Sequence, residues 1–152
     1  MHIGNYIELV HKSEEDLAKG YRMIAKEHGA EPDVKELCML QASWSEHLVA
    51  ELKPFVKKYS EERNKEPDRL MNTLFEKTRT GSLALLRDLH DLWLLVSETQ
   101  LCCVILRQAA DGLRDKDLTT LCNKIEKTSK RQLSWLLTRM KAAAPQTLIV
   151  AE

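Results

Sequence analysis

The chain has 152 residues, with 23 basic and 23 acidic side chains, five glycines and four prolines. That length suits a single domain, residues 1–152, with a real hydrophobic core. Balanced, interspersed charge excludes the basic excess of a nucleic-acid or anionic-membrane binder, and a composition rich in Leu, Ala, Glu and Lys points to an all-α fold.

Met1-His2-Ile3-Gly4-Asn5 lacks the basic start and long apolar run of a secretory signal, so a cytoplasmic protein is expected. Helix one is predicted from about Ile3 to Glu27, because Ile3, Ile7, Val10, Leu17, Tyr21 and Ile24 recur at spacings of three and four. Gly29 ends it, after His28 in the last turn. Pro32 opens helix two at a position where its missing N–H costs nothing. Leu37, Leu40, Trp44, Leu48, Leu52 and Phe55 form the predicted stripe, with Pro54 a candidate kink. Ser60 to Glu66 reads as a charged break, and Pro67-Asp68 starts a short helix with Leu70, Met71, Leu74 and Phe75 on its apolar side.

Thr80-Gly81-Ser82 begins helix three, which continues to about Ala110. Its apolar arc is wide, as expected of a helix covered on more than one side. Arg87, Asp88, Asp91 and Glu98 interrupt the apolar run from Leu83 to Ile105, so it does not read as a membrane span. Asp111-Gly112 stops it, and Asp115 can cap helix four. Leu118, Leu121, Ile125, Leu133, Leu136 and Met140 carry that helix to Pro145. The apolar tail Thr147-Leu148-Ile149-Val150 is expected to dock on the bundle or on a second subunit.

Short turns make antiparallel hairpins of helices one and two and of helices three and four. The stretch from Ser60 to Thr80 is long enough to run the length of a bundle, roughly 35–40 Å for helices of about 25 residues. A four-helix bundle with one long crossover, carrying the short helix between helices two and three, is therefore expected. An up-down-up-down bundle is the rival.

Polar residues interrupt each predicted inward stripe: Glu14, then Trp44-x-x-His47, Glu98, and Ser129-x-x-Gln132. Glu14 to Trp44 is 30 residues and Glu98 to Ser129 is 31, so hairpin symmetry sets all four positions at one depth. Buried polar groups need partners, and four interruptions at one level imply one shared polar layer.

Here the chain resembles the ferritin-like superfamily, in particular its rubrerythrin-like members. The resemblance spans nearly the whole chain and is one of pattern. It implies bridging carboxylates at Glu14 and Glu98 and a metal-ligating histidine at His47. Trp44 stands where the family has the helix-two Glu, and Ser129 and Gln132 stand where it has the helix-four Glu and His. Three of six implied ligands are absent, too few to hold a pair of irons. The expected function is thus a non-catalytic binding or oligomerising bundle, without a cofactor, whose polar layer is a hydrogen-bond network fixing register. The alternative is an atypical redox or stress protein holding a single Fe, Mn or Zn ion through Glu14, His47 and Glu98. Bundles of this family pair along helices one and two, so a homodimer is the expected assembly.

Cys38, Cys102, Cys103 and Cys122 include no Cys-x-x-Cys pair and read as reduced core residues. Glu8-x-x-His11 offers a displaced Glu-x-x-His one turn before Glu14, and more simply a solvated pair. His90 is expected to be hydrogen-bonded or salt-bridged, and Arg131, Trp135, Arg139 and Lys141 to form surface or subunit contacts. No Gly-rich phosphate loop or nucleophile elbow occurs.

Overall fold

Helix α1 (Ile3–Glu27) buries Ile3, Ile7, Val10, Leu17, Tyr21 and Ile24, the stripe its periodicity predicts. It belongs to a computed structural model that describes residues 2–62 and 74–150. Helices α2 (Pro32–Lys58), α3 (Ala84–Gly112) and α4 (Lys116–Pro145) pack with it, and among the described residues there is no strand. Lys26 lies in the last turn of α1, at the negative end of the helix dipole, and the His28 N–H closes the end on Ile24 O at 2.9 Å. Pro32 starts α2 as expected. Pro54 does not end it, because the proline and Ala50, whose carbonyl it leaves unpaired, are both exposed to water.

Two expected boundaries shift, both of α3, and the expected short helix is described only at its end. Residues 63–73, with most of the expected short helix, lie outside the described part. Its described end, Leu74 and Phe75, is not helical and packs on the core beside Gly20. A Cβ on Gly20 would stand 2.9 Å from Leu92 Cδ2 and 3.3 Å from Phe75 Cδ1, so this glycine permits the close approach. Helix α3 starts at Ala84 rather than Thr80, because Gly81 takes φ +93° and its carbonyl accepts from Ala84 N. At the other end Gly112 stays helical and Arg114, at φ 56°, makes the left-handed turn. Asp115 N donates to Ala110 O and Arg114 N to Asp111 O, both at 3.0 Å, the paired bonds of a Schellman ending. Asp115 then caps α4, accepting from Leu118 N at 3.0 Å.

Ion pairs fix the helix directions. Lys58 and Tyr59, at the end of α2, reach Asp115 at the start of α4. Arg139, near the end of α4, reaches Glu31 and Asp33 at the start of α2. His28 after α1 meets Asp88 at the start of α3. So α2 and α3 run the same way, antiparallel to α1 and α4, and the chain between Glu62 and Ala84 joins opposite ends of the bundle.

The core is in two parts. One gathers Ile3, Ile7 and Val10 with Leu48, Leu52, Leu106, Leu118 and Ile125. The other gathers Leu17, Tyr21 and Ile24 with Val34, Cys38, Leu89, Leu92, Val96 and Leu136. All four cysteines are buried and free. By length and mean hydropathy, 1.4 over its most apolar window, α3 could cross a membrane. Here its inward side packs on α1 and α4 while Leu94, Leu101 and Ile105 stay exposed at 39, 58 and 44%. The tail, expected to dock, forms a wide turn, Gln146–Val150, with Leu148, Ile149 and Val150 exposed.

Candidate functional site

Between the two core parts lies a layer of polar side chains. Glu14 from α1, Ser45 from α2, Thr99 from α3 and Ser129 and Gln132 from α4 are each wholly buried. Gln132 Nε2 donates to Ser45 Oγ at 3.2 Å, tying α4 to α2, and Thr99 Oγ1 returns to its own helix at Leu95 O. Among the described residues both Glu14 oxygens, Ser129 Oγ and Gln132 Oε1 have no hydrogen-bond partner. The same holds for Tyr21 Oη and Gln41 Oε1, toward the α2 N-terminal end.

Burial pushes the Glu14 carboxyl up from 4.5 to about 8, and Ser45 pulls weakly the other way. Ser45 lies near enough to oppose the shift, yet at this geometry neither Glu14 oxygen closes a hydrogen bond. Glu14 is therefore mostly protonated at neutral pH, an acid group rather than a carboxylate.

The polar layer stands at the expected depth, with a different rotation on two helices. Glu14, Ser129 and Gln132 face inward as expected. On α2 the inward residue is Ser45; Trp44 is half-buried beside α4 and His47 is exposed. On α3 it is Thr99; Glu98 lies to the side, half-buried, accepting from Cys102 Sγ at 3.6 Å. The expected ligand set Glu14, His47 and Glu98 is thus not brought together. Among the described residues no three His, Cys, Asp or Glu side chains converge as a metal would require. One residue along a helix is a rotation of about 100°, enough to turn a ligand into a surface group. Leu40, expected inside, is likewise exposed at 45%.

Ser45, Thr99 and Gln41 were not legible as layer residues. The helical spacing of small residues carries the signal that bulk hides: Cys38, Ala42 and Ser45 recur at spacings of four and three, as do Thr99 and Cys103 ahead of Leu106. Cys38 and Cys102 add no reactivity. Burial pushes Cys38 and Cys102 up to about 12, leaving them as thiols. At the α1 end, Asp88 accepts from Arg79 N and pairs with His28, while Arg79 also holds Asp91. His90 bonds Arg87 rather than either flanking aspartate. Asp88, His28, Arg79 and Asp91 each have a partner, so the cluster reads as a staple for the chain entering α3. His11 faces Glu15 at 3.9 Å, not a metal partner.

Beside the layer, α2 and α4 part to leave an open groove of ≈ 490 Å³ lined by Leu37, Gln41, Trp44, Arg131 and Trp135, among others. The Arg131 guanidinium lies over the Trp44 ring, 4.4 Å from its centroid. Comparisons with known proteins add no identity: no family model matches the chain, and no curated protein or solved structure matches it significantly.

Proposed function

We propose that this chain is a ferritin-like helical bundle that has exchanged metal ligation for hydrogen bonding and works without catalysis, as a binding and self-associating module. The observation that carries the reading is the composition of the central layer. Its one ionisable group, Glu14, is held as a neutral acid, and its other members are hydroxyls and an amide. Such a layer lacks the negative charge that divalent ions need. It sets register instead, since any slip along a helix would strand a buried polar group in one of the flanking apolar cores. The parallel run of α2 and α3 supports the ferritin-like comparison, because one long crossover is that architecture's mark.

Self-association is supported by the uncovered apolar stripe Leu94, Leu101 and Ile105 on α3 and by the bare tail Leu148–Val150. The proposed assembly is a homodimer. Pairing through α3 is proposed in place of the pairing along helices one and two that the resemblance implies, because α3 carries the longer exposed apolar stripe, against Met39 and Leu40 on α2. The test is elemental analysis after incubation with iron, manganese and zinc and thorough desalting. The expected result is no retained metal. One metal per chain, lost in Glu14→Ala, would overturn the reading in favour of an atypical metal site.

A further inference from the structure

We infer that the apolar cleft between the start of α1 and the end of α3 receives the Leu148–Val150 segment of a second copy of this chain. The inference rests on the proposed homodimer and adds to it where each tail goes. Leu106, Ala109 and Leu113 follow one another on α3 at spacings of three and four, so they share a face. The small Ala109 leaves a hollow between its larger neighbours, and Ile3 and Tyr6 of α1 complete the walls. The hollow measures ≈ 320 Å³, close to the lower bound of roughly 300 Å³ for ligand sites, which suits a pair of aliphatic side chains. Among the described residues no Asp, Glu, Lys or Arg side chain lines it, so the guest it accepts is apolar.

The same chain carries an apolar segment with nothing over it. Leu148, Ile149 and Val150, branched aliphatic side chains in a row, are 64, 81 and 62% exposed. Such a run gains from burial, yet it cannot enter the cleft of its own chain. Helix α4 has 30 residues, a length of about 45 Å. Its start adjoins the end of α3, so the cleft is level with the first few turns of α4. Pro145 therefore stands roughly 30–40 Å from the cleft along the axis. The chain from Gln146 to Val150 has 5 residues, which fully drawn out span at most about 18 Å. A tail that fills the cleft thus comes from another copy. The α3 stripe shows how it arrives. Ile105 belongs both to the stripe and to the cleft, so a contact along the stripe continues into the hollow. Antiparallel pairing of α3 with its copy sets the start of one α3 beside the end of the other. Helix α4 finishes where α3 starts, so each tail comes to the end of the partner at which the cleft opens, within reach once its wide turn is drawn out.

The test is disulfide trapping in the full chain, with sedimentation velocity beside it. The four native cysteines are buried, so cysteines introduced at exposed positions carry the exchange. One preparation carries Ile149→Cys and a second Ala109→Cys, both at exposed positions. A third carries Lys53→Cys, exposed on α2 at the same end of the bundle as the cleft. The first is mixed with the second or the third and oxidised with glutathione disulfide, and the linked peptides are measured by mass spectrometry. The linkage from position 149 to position 109 is expected to exceed that from 149 to 53 by roughly tenfold or more, because docking raises the effective concentration of the two thiols. A dimer in sedimentation without that excess would overturn the docking of the tail and leave the homodimer standing, with the cleft given to some other apolar guest. A chain that stays monomeric at high micromolar concentration would overturn both.

Discussion

Glu14 is the residue at which burial and charge are in sharpest conflict. With its carboxyl raised to about 8 from 4.5 in the unfolded chain, the folded protein keeps a proton that the unfolded chain releases. Between those two values the native state binds more protons, so stability falls as pH rises across the window. The whole effect is on the order of 4–5 kcal/mol at most. Glu14→Gln is neutral at every pH and supplies an N–H to neighbouring unpaired oxygens. It is expected to flatten the pH dependence and to raise stability by about 1–3 kcal/mol near pH 8. Urea unfolding at about pH 5, 7 and 9 reads both. A native chain whose stability is level across that range would show that Glu14 is ionised in the fold.

At the scale of elements, the α3–α4 junction concentrates several devices in three residues. Arg114 holds a left-handed φ that costs a non-glycine residue about 1 kcal/mol. Arg114→Gly is therefore expected to raise stability by roughly 0.5–1 kcal/mol, measured by thermal or urea unfolding. Asp115 caps α4 and also binds Lys58 and Tyr59. Its partial burial pushes the carboxyl up, but Lys58, Tyr59 and the Leu118 N–H outweigh that and hold it down at about 2. The stabilisation it gives is present above the unfolded value of 3.8 and is lost as pH falls toward about 2. Asp115→Ala is expected to lose about 1–2 kcal/mol at neutral pH for the cap alone. Its deficit against the native chain should shrink in acid.

Elements also show what the sequence could and could not reveal. Helices α1 and α4 have polar outer faces, so the period of their apolar residues gives the inward direction, and Glu14, Ser129 and Gln132 are placed correctly. Helices α2 and α3 carry large apolar residues on their outer sides too: Met39 and Leu40 on one, Leu94, Leu101 and Ile105 on the other. There the period no longer singles out a face, and bulk misleads. The inward positions at the layer belong to Ser45 and Thr99, because close-packed helices leave room there for small side chains. Depth survived the error because it depends only on chain length from each turn, whereas rotation depends on which residues meet the neighbours.

For the whole molecule, the uncovered residues of α3 are where the proposed homodimer would form. In an antiparallel pairing of α3 with its copy, Leu94 stands across from Ile105 of the second chain, and Glu98 across from Leu101, about a two-fold axis near the helix centre. Such an isologous contact closes on itself and leaves no free edge. It also carries each exposed tail, at the α4 end of one copy, toward the other copy's apolar cleft between α1 and α3, which Tyr6, Ile105 and Leu113 line. A glutamate at Leu101 would sit desolvated across from Glu98 of the second copy, a like charge that the pairing cannot relieve. In the monomer the same side chain points to water, 58% exposed as leucine, so the fold should be untouched. Leu101→Glu is expected to raise the dimer dissociation constant at least tenfold in sedimentation velocity, with unchanged helical content and unfolding midpoint at low concentration. Removal of residues 147–152 is expected to weaken the dimer less, because the tail adds to a contact whose centre is α3. A native chain that stays monomeric at high micromolar concentration would rule out the pairing and leave the α3 stripe to a different protein.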